Sequence, residues 1–369
     1  MSTPTLPPAG RVRLALVGAG VIGTQHGRVV SELADRIELV AVVDLDLNRA
    51  EKLAAEHGGT AFSALGDALV ATEIDIVSVC TPTGRHAEVA IKALRAGKHV
   101  IIEKPAEINV AKTDEISAAQ QQAGTQVAVI SQHRFDPSTE IAVAAISRGE
   151  LGRLTSGIAS IDWWRGQSYY DSGDWRGTWD LDGGGALMNQ GVHTVDLLVA
   201  TMGRPVEVFA YTGVLAHERI ETEDVAVGVV RFESGALGVL HATTAAYPGL
   251  SARLQVHGDQ GSIIIDNDVL TFVHVTPQGT EREEKMMGST STSLNQVADY
   301  APTETATLTA SSNPGAMSTA AHRAQYENFL AAVAGTEPVR VDLATNRQAI
   351  GIITGAYESA RTGLPVRLA

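Results

Sequence analysis

The sequence predicts a two-domain α/β protein, and two observations carry this prediction. In the first third of the chain, short β-branched runs alternate with helical stretches, which is typical of a parallel sheet covered by helices on both faces. After about Arg134, strand patterns follow one another without intervening helices, which predicts a large, mostly antiparallel open sheet in an α+β domain. The 369 residues are enough for two such domains.

The predicted elements of the first domain are five apolar strands with helices between them. The strands are 12–17, 37–44, 74–80, 99–105 and 126–132, and the helices include 48–57, 85–96 and 110–123. The second domain has predicted strands at 155–163, 205–213, 225–233, 236–244, 252–258 and 262–266, and closing helices at 319–334 and 343–362. We therefore expect a flexible leader (1–10), a first domain (11–134) and a second domain (135–369), in which 288–317 is a mobile excursion.

Composition and charge exclude several classes of protein. The net charge of −14, from 28 Lys and Arg against 42 Asp and Glu, disfavours a nucleic-acid partner. No apolar run approaches the ~20 residues that span a bilayer, and the first ten residues lack a signal-peptide pattern. Cys80 is the only cysteine, so an intrachain disulfide and a Cys-based metal cluster are excluded. A cytoplasmic protein without a membrane partner is expected.

A glycine-rich turn, GAGVIG, follows the first predicted strand and opens a helix. Gly18 permits the tight turn, Gly20 allows the backbone to approach a diphosphate, and Gly23 lets the helix pack closely on the strand. The amide groups at the helix N-terminus then offer hydrogen bonds and a partial positive charge to phosphates. Asp44 ends the next strand, where a carboxylate binds ribose hydroxyls but repels a 2′-phosphate. This arrangement predicts a dinucleotide site and favours NAD over NADP.

Two further strand ends carry polar groups at the edge where open α/β sheets bind ligands. CTPTGRH, residues 80–86, follows the third predicted strand, and EKP, residues 103–105, follows the fourth. A lysine beside a glutamate is usually only a surface ion pair. At this edge, however, the ammonium group of Lys104 would point into the crevice and donate to a substrate oxygen that gains negative charge.

The segment GGGALMNQGVHTVDLL, residues 183–198, predicts a helix with three polar side chains beside an apolar stripe. Treated as one helix over 187–201, it places Asn189, His193 and Asp196 on one face. An imidazole titrates near neutral pH, so His193 can accept a hydroxyl proton and return it. Asn is a poor zinc ligand and the motif holds no second His or Cys, so we expect no metal.

These motifs occur in the order and spacing of the glucose–fructose oxidoreductase / inositol dehydrogenase (Gfo/Idh/MocA) family, which this chain resembles after its leader. The ending AHRAQYENFLAAVAGTEPVRVD is also similar. The resemblance implies a Rossmann domain, tightly held NAD(P), and oxidation or reduction of a sugar, cyclitol or sugar derivative. It implies catalysis by Lys104 and His193, and sugar binding by Asn189, where many relatives carry Asp.

The segment from Trp163 to Asp182 contains all four tryptophans together with many polar groups. Such a segment suits sugar rings, and equally a subunit contact or a lid. The expected cofactor-binding residues are Gly18, Gly20, Val21, Ile22, Gly23, Asp44, Thr81, Pro82, Thr83, His86, Glu103, Lys104, Gln132, Trp175 and Arg176. The expected substrate-binding residues are Lys104, Arg134, Tyr170, Arg176, Asn189, His193 and His322.

Three functional hypotheses remain at this point. The first is an NAD-dependent dehydrogenase that transfers hydride between nicotinamide and a secondary alcohol of a sugar, sugar derivative or inositol. The second is a glycosidase that uses transient oxidation, elimination and water addition, with NAD recycled. The third is a non-enzymatic sugar- or NAD-sensing protein, which the presence of both Lys104 and His193 disfavours. The open face of a large sheet also predicts a homodimer or homotetramer.

Overall fold

A computed structural model describes residues 10–276, 294–301 and 318–369. Its elements are β1 (Val12–Val17), α1 (Val21–Glu32), β2 (Ile37–Val43), α2 (Leu47–His57), β3 (Thr60–Phe62), α3 (Leu65–Ala71), β4 (Ile76–Val79), α4 (His86–Arg95), β5 (His99–Ile102), α5 (Val110–Ala123), β6 (Val127–Val129), α6 (Pro137–Ser147), β7 (Leu154–Asp162), α7 (Gln167–Tyr170), α8 (Val192–Met202), β8 (Pro205–Gly213), β9 (Val225–Phe232), β10 (Leu237–Thr243), β11 (Ala252–Gly258), β12 (Gly261–Asp266), β13 (Val269–Val275), α9 (Val297–Tyr300), α10 (Ala320–Val333), α11 (Leu343–Thr362) and β14 (Val366–Arg367).

The chain divides into two compact units, each built around its own sheet. The first unit comprises Met1–Gln132, Thr178–Gly183 and Ser318–Ile350, and the second comprises the remaining three stretches. The expected leader, apart from Gly10, and most of the expected excursion at 288–317 lie outside the described residues.

The first unit contains a parallel six-stranded sheet in the order β3-β2-β1-β4-β5-β6. This is the strand order of a Rossmann domain, in which the carboxyl ends of β1 and β4 flank the ligand crevice. Its helices begin and end on local signals: the Asn109 side chain caps α5 by accepting from the amide of Lys112 at 2.9 Å, and Gly124, at φ 67°, ends that helix. The predicted parallel sheet is confirmed, and β3 and α3 are additions to it.

The second domain that the sequence predicts over 135–369 needs two corrections. Residues 178–183 and residues 318–350 both belong to the first unit. Tyr326, Phe329 and Leu330 of α10 are buried in the same apolar core as Leu14 and Val29. Apolar contact with β1 and α1 is the physical reason for the assignment of 318–350.

The second unit contains an eight-stranded sheet in the order β13-β12-β11-β7-β10-β9-β8-β14. Only the β7–β10 pair is parallel, so the predicted mostly antiparallel sheet is confirmed. Helix α8 packs on β7 at close range: a Cβ added at Gly157 would lie 2.7 Å from Leu198 and 3.0 Å from Met202. Among the described residues, the opposite face of the sheet is left uncovered, since every second residue of β9 between Val227 and Arg231 is exposed.

No helix in the described part of the chain combines the length and the apolar character that crossing a bilayer requires.

Candidate active site

The glycine turn between β1 and α1 has the steric properties expected of a dinucleotide site. A Cβ at Gly23 would lie 1.9 Å from the carbonyl oxygen of Gly18, and one at Gly18, whose φ is +103°, would lie 2.4 Å from that of Cys80. At Gly20, by contrast, an added Cβ would meet no atom within 4 Å. Gly18 and Gly23 therefore serve the packing of the turn, whereas Gly20 leaves open space in front of the backbone, where a diphosphate would fit.

Asp44 connects the glycine turn to the end of β2. Its Oδ2 accepts from the amide of Ala19 at 2.7 Å, and its Oδ1 accepts from the amide of Asp46 at 2.9 Å. The next residue, Leu45, is 95% exposed, and Arg49 pairs with Asp46 at 3.4 Å. A carboxylate in this place can also accept from ribose hydroxyls. Arg49, the next basic residue along the chain, already pairs with Asp46.

The turns after β4 and β5 are held together by His86. Its Nδ1 lies 2.8 Å from the carbonyl oxygen of Pro105, and its Nε2 lies 2.9 Å from that of Thr81. The sequence analysis assigned His86 to the cofactor; its two ring nitrogens instead contact the backbones of the two turns. The buried Oγ1 of Thr81 and Oε1 of Gln132 have no hydrogen-bond partner within the described structure. These two atoms, near the carboxyl ends of β4 and β6, suit the polar groups of a nucleotide.

The short segment Thr178–Gly183 belongs to the first unit and packs on the turn after β4. The amide of Gly84 donates to the carbonyl oxygen of Leu181 at 2.9 Å, and a Cβ at Gly84 would lie 2.1 Å from the carbonyl oxygen of Asp180. This close approach explains the glycine of the TPTGRH motif, because any side chain there would push the segment away.

Lys104 follows β5 in a turn supported by the carboxylate of Glu103. Glu103 Oε2 accepts from the backbone amide of Lys104 at 3.0 Å, and Oε1 lies 2.8 Å from His26 Nε2 and 3.8 Å from His322 Nε2. Burial alone would raise the pKa of Glu103, but the hydrogen-bonding imidazoles hold it well below its usual range. We assigned Glu103 to the cofactor and His322 to the substrate; the structure places both in the interior of the first unit. Beside His322 on α10, Gln325 Nε2 donates to the carbonyl oxygen of Val129 at 2.7 Å, and its Oε1 accepts from the amide of Ser131 at 2.9 Å.

In the second unit, the predicted helix over 187–201 is not continuous. A π-helical turn, Ala186–Gly191, leads into α8. The buried carboxylate of Glu223 holds the start of this turn: its Oε2 accepts from the amide of Gly185 at 2.9 Å, and its Oε1 accepts from the amide of Leu187 at 2.7 Å and from the hydroxyl of Tyr357 at 3.0 Å. Burial raises the pKa of Glu223 to about 7. Asn189 lies in the wide π-helical turn, whereas His193 lies in the regular helix α8. The prediction that both residues share one face of a single regular helix over 187–201 is therefore corrected.

His193 lies against a second histidine that the sequence analysis missed. The rings of His193 and His133 are 5.0 Å apart and nearly perpendicular. His133 Nδ1 lies 2.7 Å from Asp136 Oδ2 and 3.1 Å from Asp268 Oδ1. Burial alone would lower the pKa of His133, but Asp268 and Asp136 raise it to about 10. The two histidines line a cavity of about 20 Å³, which has room for a water-sized group.

Two other expected substrate residues are engaged within the second unit. The guanidinium of Arg134 forms a two-point ion pair with Asp196, with Nε–Oδ2 at 2.6 Å and Nη2–Oδ1 at 2.8 Å. The hydroxyl of the buried Tyr170 bonds to Thr244 Oγ1 at 2.7 Å. Arg134 therefore connects α8 to the residues after β6, and Tyr170 contributes to packing.

The aromatic segment forms a stack rather than a row of separate rings. The Arg176 guanidinium lies 4.2 Å from the ring centre of Tyr169 and 4.4 Å from that of Trp175. Arg165 lies 5.0 Å from the ring centre of Trp163 and donates to Gln190 Oε1 at 3.4 Å. Cation–π contacts of this kind fix the orientation of long basic side chains.

Among the described residues, there are two groups of three side chains whose chemical type could hold a metal ion. They are His26, Glu103 and His322 in the first unit, and His133, Asp136 and Asp268 in the second. Each contains a 2.7–2.8 Å contact between a histidine nitrogen and a carboxylate oxygen, which is the length of a charge-assisted hydrogen bond.

Comparison with known proteins gives a consistent result. Residues 12–131 match a family model described as an oxidoreductase family with an NAD-binding Rossmann fold, and residues 140–264 match the GFO/IDH/MocA C-terminal domain. A myo-inositol 2-dehydrogenase from Thermotoga maritima is 29% identical over 75% of this chain and 81% of its own length. An inositol 2-dehydrogenase from Rhizobium meliloti is 30% identical over 69% of this chain and 76% of its own. The WlbA dehydrogenase from Chromobacterium violaceum, solved with NADH and UDP-GlcNAcA, superposes with a TM-score of 0.85 at 28% identity, covering 100% of this chain and 99% of that one.

Proposed function

Because this chain belongs to the Gfo/Idh/MocA family of NAD-binding oxidoreductases, we propose that it oxidises a secondary alcohol of a sugar, a sugar derivative or an inositol. Its relatives include inositol and sugar dehydrogenases, and its first unit is an NAD-binding Rossmann domain. The relatives give no support to the glycosidase alternative.

The residues that would hold NAD are those of the glycine turn and of the strand ends beside it. Gly20 leaves room for the diphosphate, Asp44 has acceptor capacity for ribose hydroxyls, and Thr81 and Gln132 offer buried polar atoms. Asp44 repels a 2′-phosphate, so we propose NAD rather than NADP. When bound, the nicotinamide accepts the hydride from the substrate carbon or returns it.

The chain's own groups then have separate tasks. Lys104 donates a hydrogen bond to the reacting oxygen and favours negative charge on it. His193 takes the hydroxyl proton as the carbon is oxidised and gives it back in reduction. Asn189 binds a substrate hydroxyl; its Oδ1 already accepts from Gln190 Nε2 at 2.7 Å, which fixes the orientation of its amide.

The observation that carries this proposal is the hydrogen bond from the backbone amide of Lys104 to the buried carboxylate of Glu103. A lysine that formed only a surface ion pair would not need a fully buried glutamate bonded to its backbone amide. This contact supports the Lys104 backbone just after β5, at the edge of the sheet where a Rossmann domain presents its substrate.

A substrate screen tests the proposal. Purified protein with NAD is offered myo- and scyllo-inositol, free hexoses, alkyl glucosides and UDP-linked uronic acids, while absorbance of reduced nicotinamide and release of aglycone are followed. We expect reduced nicotinamide without aglycone release from at least one of these classes. Aglycone release without net reduction would favour the glycosidase, and binding of NAD without turnover of any class would favour a sensing protein.

Two variants test the assigned roles on the substrate that this screen identifies. Lys104→Met and His193→Asn should each lower kcat/KM by at least about a hundredfold, since each removes a proton donor or acceptor. Both should bind NADH with unchanged affinity in a fluorescence titration. Turnover within about threefold of wild type in either variant would remove that residue from the mechanism.

We also propose that the open face of the eight-stranded sheet binds a second copy of this chain. A row of residues crosses seven of the eight strands on this face: Phe209, Val229, Val239, Ile158, Gln255, Ile264 and Phe272. Six of the seven are apolar, and Val229 and Val239 are 52% and 41% exposed. The ion pairs Glu207–Arg231 and His241–Asp162 lie beside this row. An apolar row with polar flanks is complementary to itself under a two-fold rotation.

A further inference from the structure

A fully buried polar cluster lies at the centre of the first unit, and the proposed chemistry does not use it directly. Its members come from four elements: His26 from α1, Ser78 from β4, Glu103 from the end of β5, and His322 and Tyr326 from α10. All five residues are at most 4% exposed. Burying this many polar groups is costly unless each is hydrogen-bonded, so their arrangement calls for a physical reason.

The contacts form one connected path that ends at Lys104. Tyr326 Oη lies 2.7 Å from His26 Nδ1 and 2.9 Å from Ser78 Oγ. His26 Nε2 lies 2.8 Å from Glu103 Oε1. The other oxygen of this carboxylate, Oε2, accepts from the backbone amide of Lys104 at 3.0 Å.

The two oxygens of Glu103 thus face two hydrogen-bond donors in opposite parts of the site. An ionised carboxylate accepts from both, and nearby imidazoles compensate its charge within the low-dielectric interior. A glutamine of the same shape has one oxygen and one NH₂ group. Its oxygen can accept from the Lys104 amide, but its NH₂ group then faces His26 Nε2, which can accept only as a neutral imidazole, so the charge-assisted contact that anchors the carboxylate is lost.

We propose that Glu103 is a positioning residue for Lys104: anchored by His26 and His322, its carboxylate fixes the backbone from which the lysine side chain extends. This inference rests on the proposed catalytic role of Lys104. It extends that role by assigning a function to α10, whose His322 lies 3.8 Å from Glu103 Oε1 and contributes to the anchor. Glu103 contacts neither substrate nor nicotinamide in this scheme.

The competing explanation is a metal ion, because two imidazoles and a carboxylate also suit zinc. The structure favours the hydrogen-bonded form. Glu103 Oε2 is bonded to a backbone amide, and the 2.8 Å contact to His26 is direct. Metal content is therefore one of the measurements in the test.

The test compares Glu103→Gln with Tyr326→Phe in the full-length protein. Glu103→Gln should lower kcat about 10- to 100-fold, because a small displacement of a catalytic group has effects of this size. Its KM and the Kd for NADH should stay within about twofold of wild type. Tyr326→Phe removes one hydroxyl from the same cluster and leaves both Glu103 contacts in place, so its kcat should stay within about twofold. If Glu103→Gln does not fold, His322→Gln, which removes one of the two anchoring imidazoles, replaces it, with a smaller expected loss of kcat.

A double-mutant cycle with Lys104→Met separates positioning from a general structural role. If Glu103 acts through Lys104, Glu103→Gln should have no further effect on the residual activity of Lys104→Met. An equal loss in both backgrounds, an unchanged kcat in Glu103→Gln, or one equivalent of zinc that Glu103→Gln removes would each overturn the proposal. Full activity of Lys104→Met would instead overturn the proposed catalytic role of Lys104, on which this inference rests.

Discussion

Gly20 and Gly23 lie three residues apart in one turn, yet their surroundings predict different consequences for the same substitution. Gly20→Ala should leave the free energy of unfolding within about 0.5 kcal/mol of wild type, because the new Cβ meets open space. It should weaken NAD binding at least about tenfold, because that space is where the diphosphate fits. Thermal unfolding and a calorimetric NAD titration measure the two effects.

Gly23→Ala is the matched control for this pair. Its Cβ would lie 1.9 Å from a backbone oxygen, so the turn must move. We expect a loss of about 1–3 kcal/mol in the free energy of unfolding together with the loss of NAD binding. Normal NAD affinity in Gly20→Ala would show that the cofactor does not approach this turn.

His133 makes the stability of the protein depend on pH. Its pKa is raised from 6.5 to about 10, so the folded protein holds this proton more tightly than the unfolded chain. The stabilisation is complete below pH 6.5 and is lost as the pH rises to about 10. We expect His133→Gln to remove on the order of 3 kcal/mol of this pH dependence, as measured by urea unfolding between pH 6 and 10.

Asp268→Asn isolates the cause of this effect. The variant keeps His133 but removes the charge 3.1 Å from its Nδ1, and asparagine tolerates the positive φ of 65° at this position. Its pH dependence should fall between those of wild type and His133→Gln. A slope identical to wild type would show that Asp268 does not hold the proton.

At the scale of single elements, the π-helical turn before α8 depends on one buried carboxylate. Glu223→Gln would set an NH₂ group against the amide of Gly185 or of Leu187, both of which are donors. We expect a loss of about 1–3 kcal/mol in the free energy of unfolding. Tyr357→Phe removes one of the three donors to Glu223 and the acceptor of the Met188 amide, but leaves both amide contacts of the carboxylate, and it should cost about 1 kcal/mol. Denaturant unfolding of both variants tests this order, and an equal loss in the two would contradict it.

The sequence predicts elements well where the signal is local and long. The runs at 12–17 and 205–213 are observed as strands with the same bounds, because continuous or alternating apolar residues determine them directly. The three-residue β3 is too short to give such a pattern. The π-helical turn Ala186–Gly191 also carries no local signal, because its geometry follows from contacts of the Gly185 and Leu187 amides with Glu223, which is distant in sequence.

The same distinction applies to the candidate site. The glycine turn, Asp44 and Lys104 are identified by their places after predicted strands, and the structure shows them in those places. His133 directly follows Gln132 and lies three residues before Asp136, which is a weak local signal. Its contact with Asp268 joins residues far apart in sequence and depends on the folded sheet. Residues that belong to a sequence motif can therefore be predicted from the sequence. The residues that contact them in the folded protein but are distant in sequence cannot.

At the scale of the whole molecule, the open sheet face predicts a specific assembly. Val229→Lys and Val239→Lys would each bury a charge in the proposed interface, so we expect a lower oligomeric mass by light scattering. Val70→Lys is the control, because Val70 is 90% exposed on α3 of the first unit and should leave the mass unchanged. A wild-type protein that runs as a monomer at micromolar concentration would end this proposal.

The chain passes between the two units five times, at residues 132, 177, 183, 317 and 350. Neither unit can consequently be exchanged between relatives by a single cut in the chain. A chimera cut once at residue 134 would take its nucleotide half from one parent and the helix that fills that half's core, with Tyr326 and Phe329, from the other. Any recombination that aims to transfer cofactor preference between relatives has to carry 178–183 and 318–350 along with the first 132 residues.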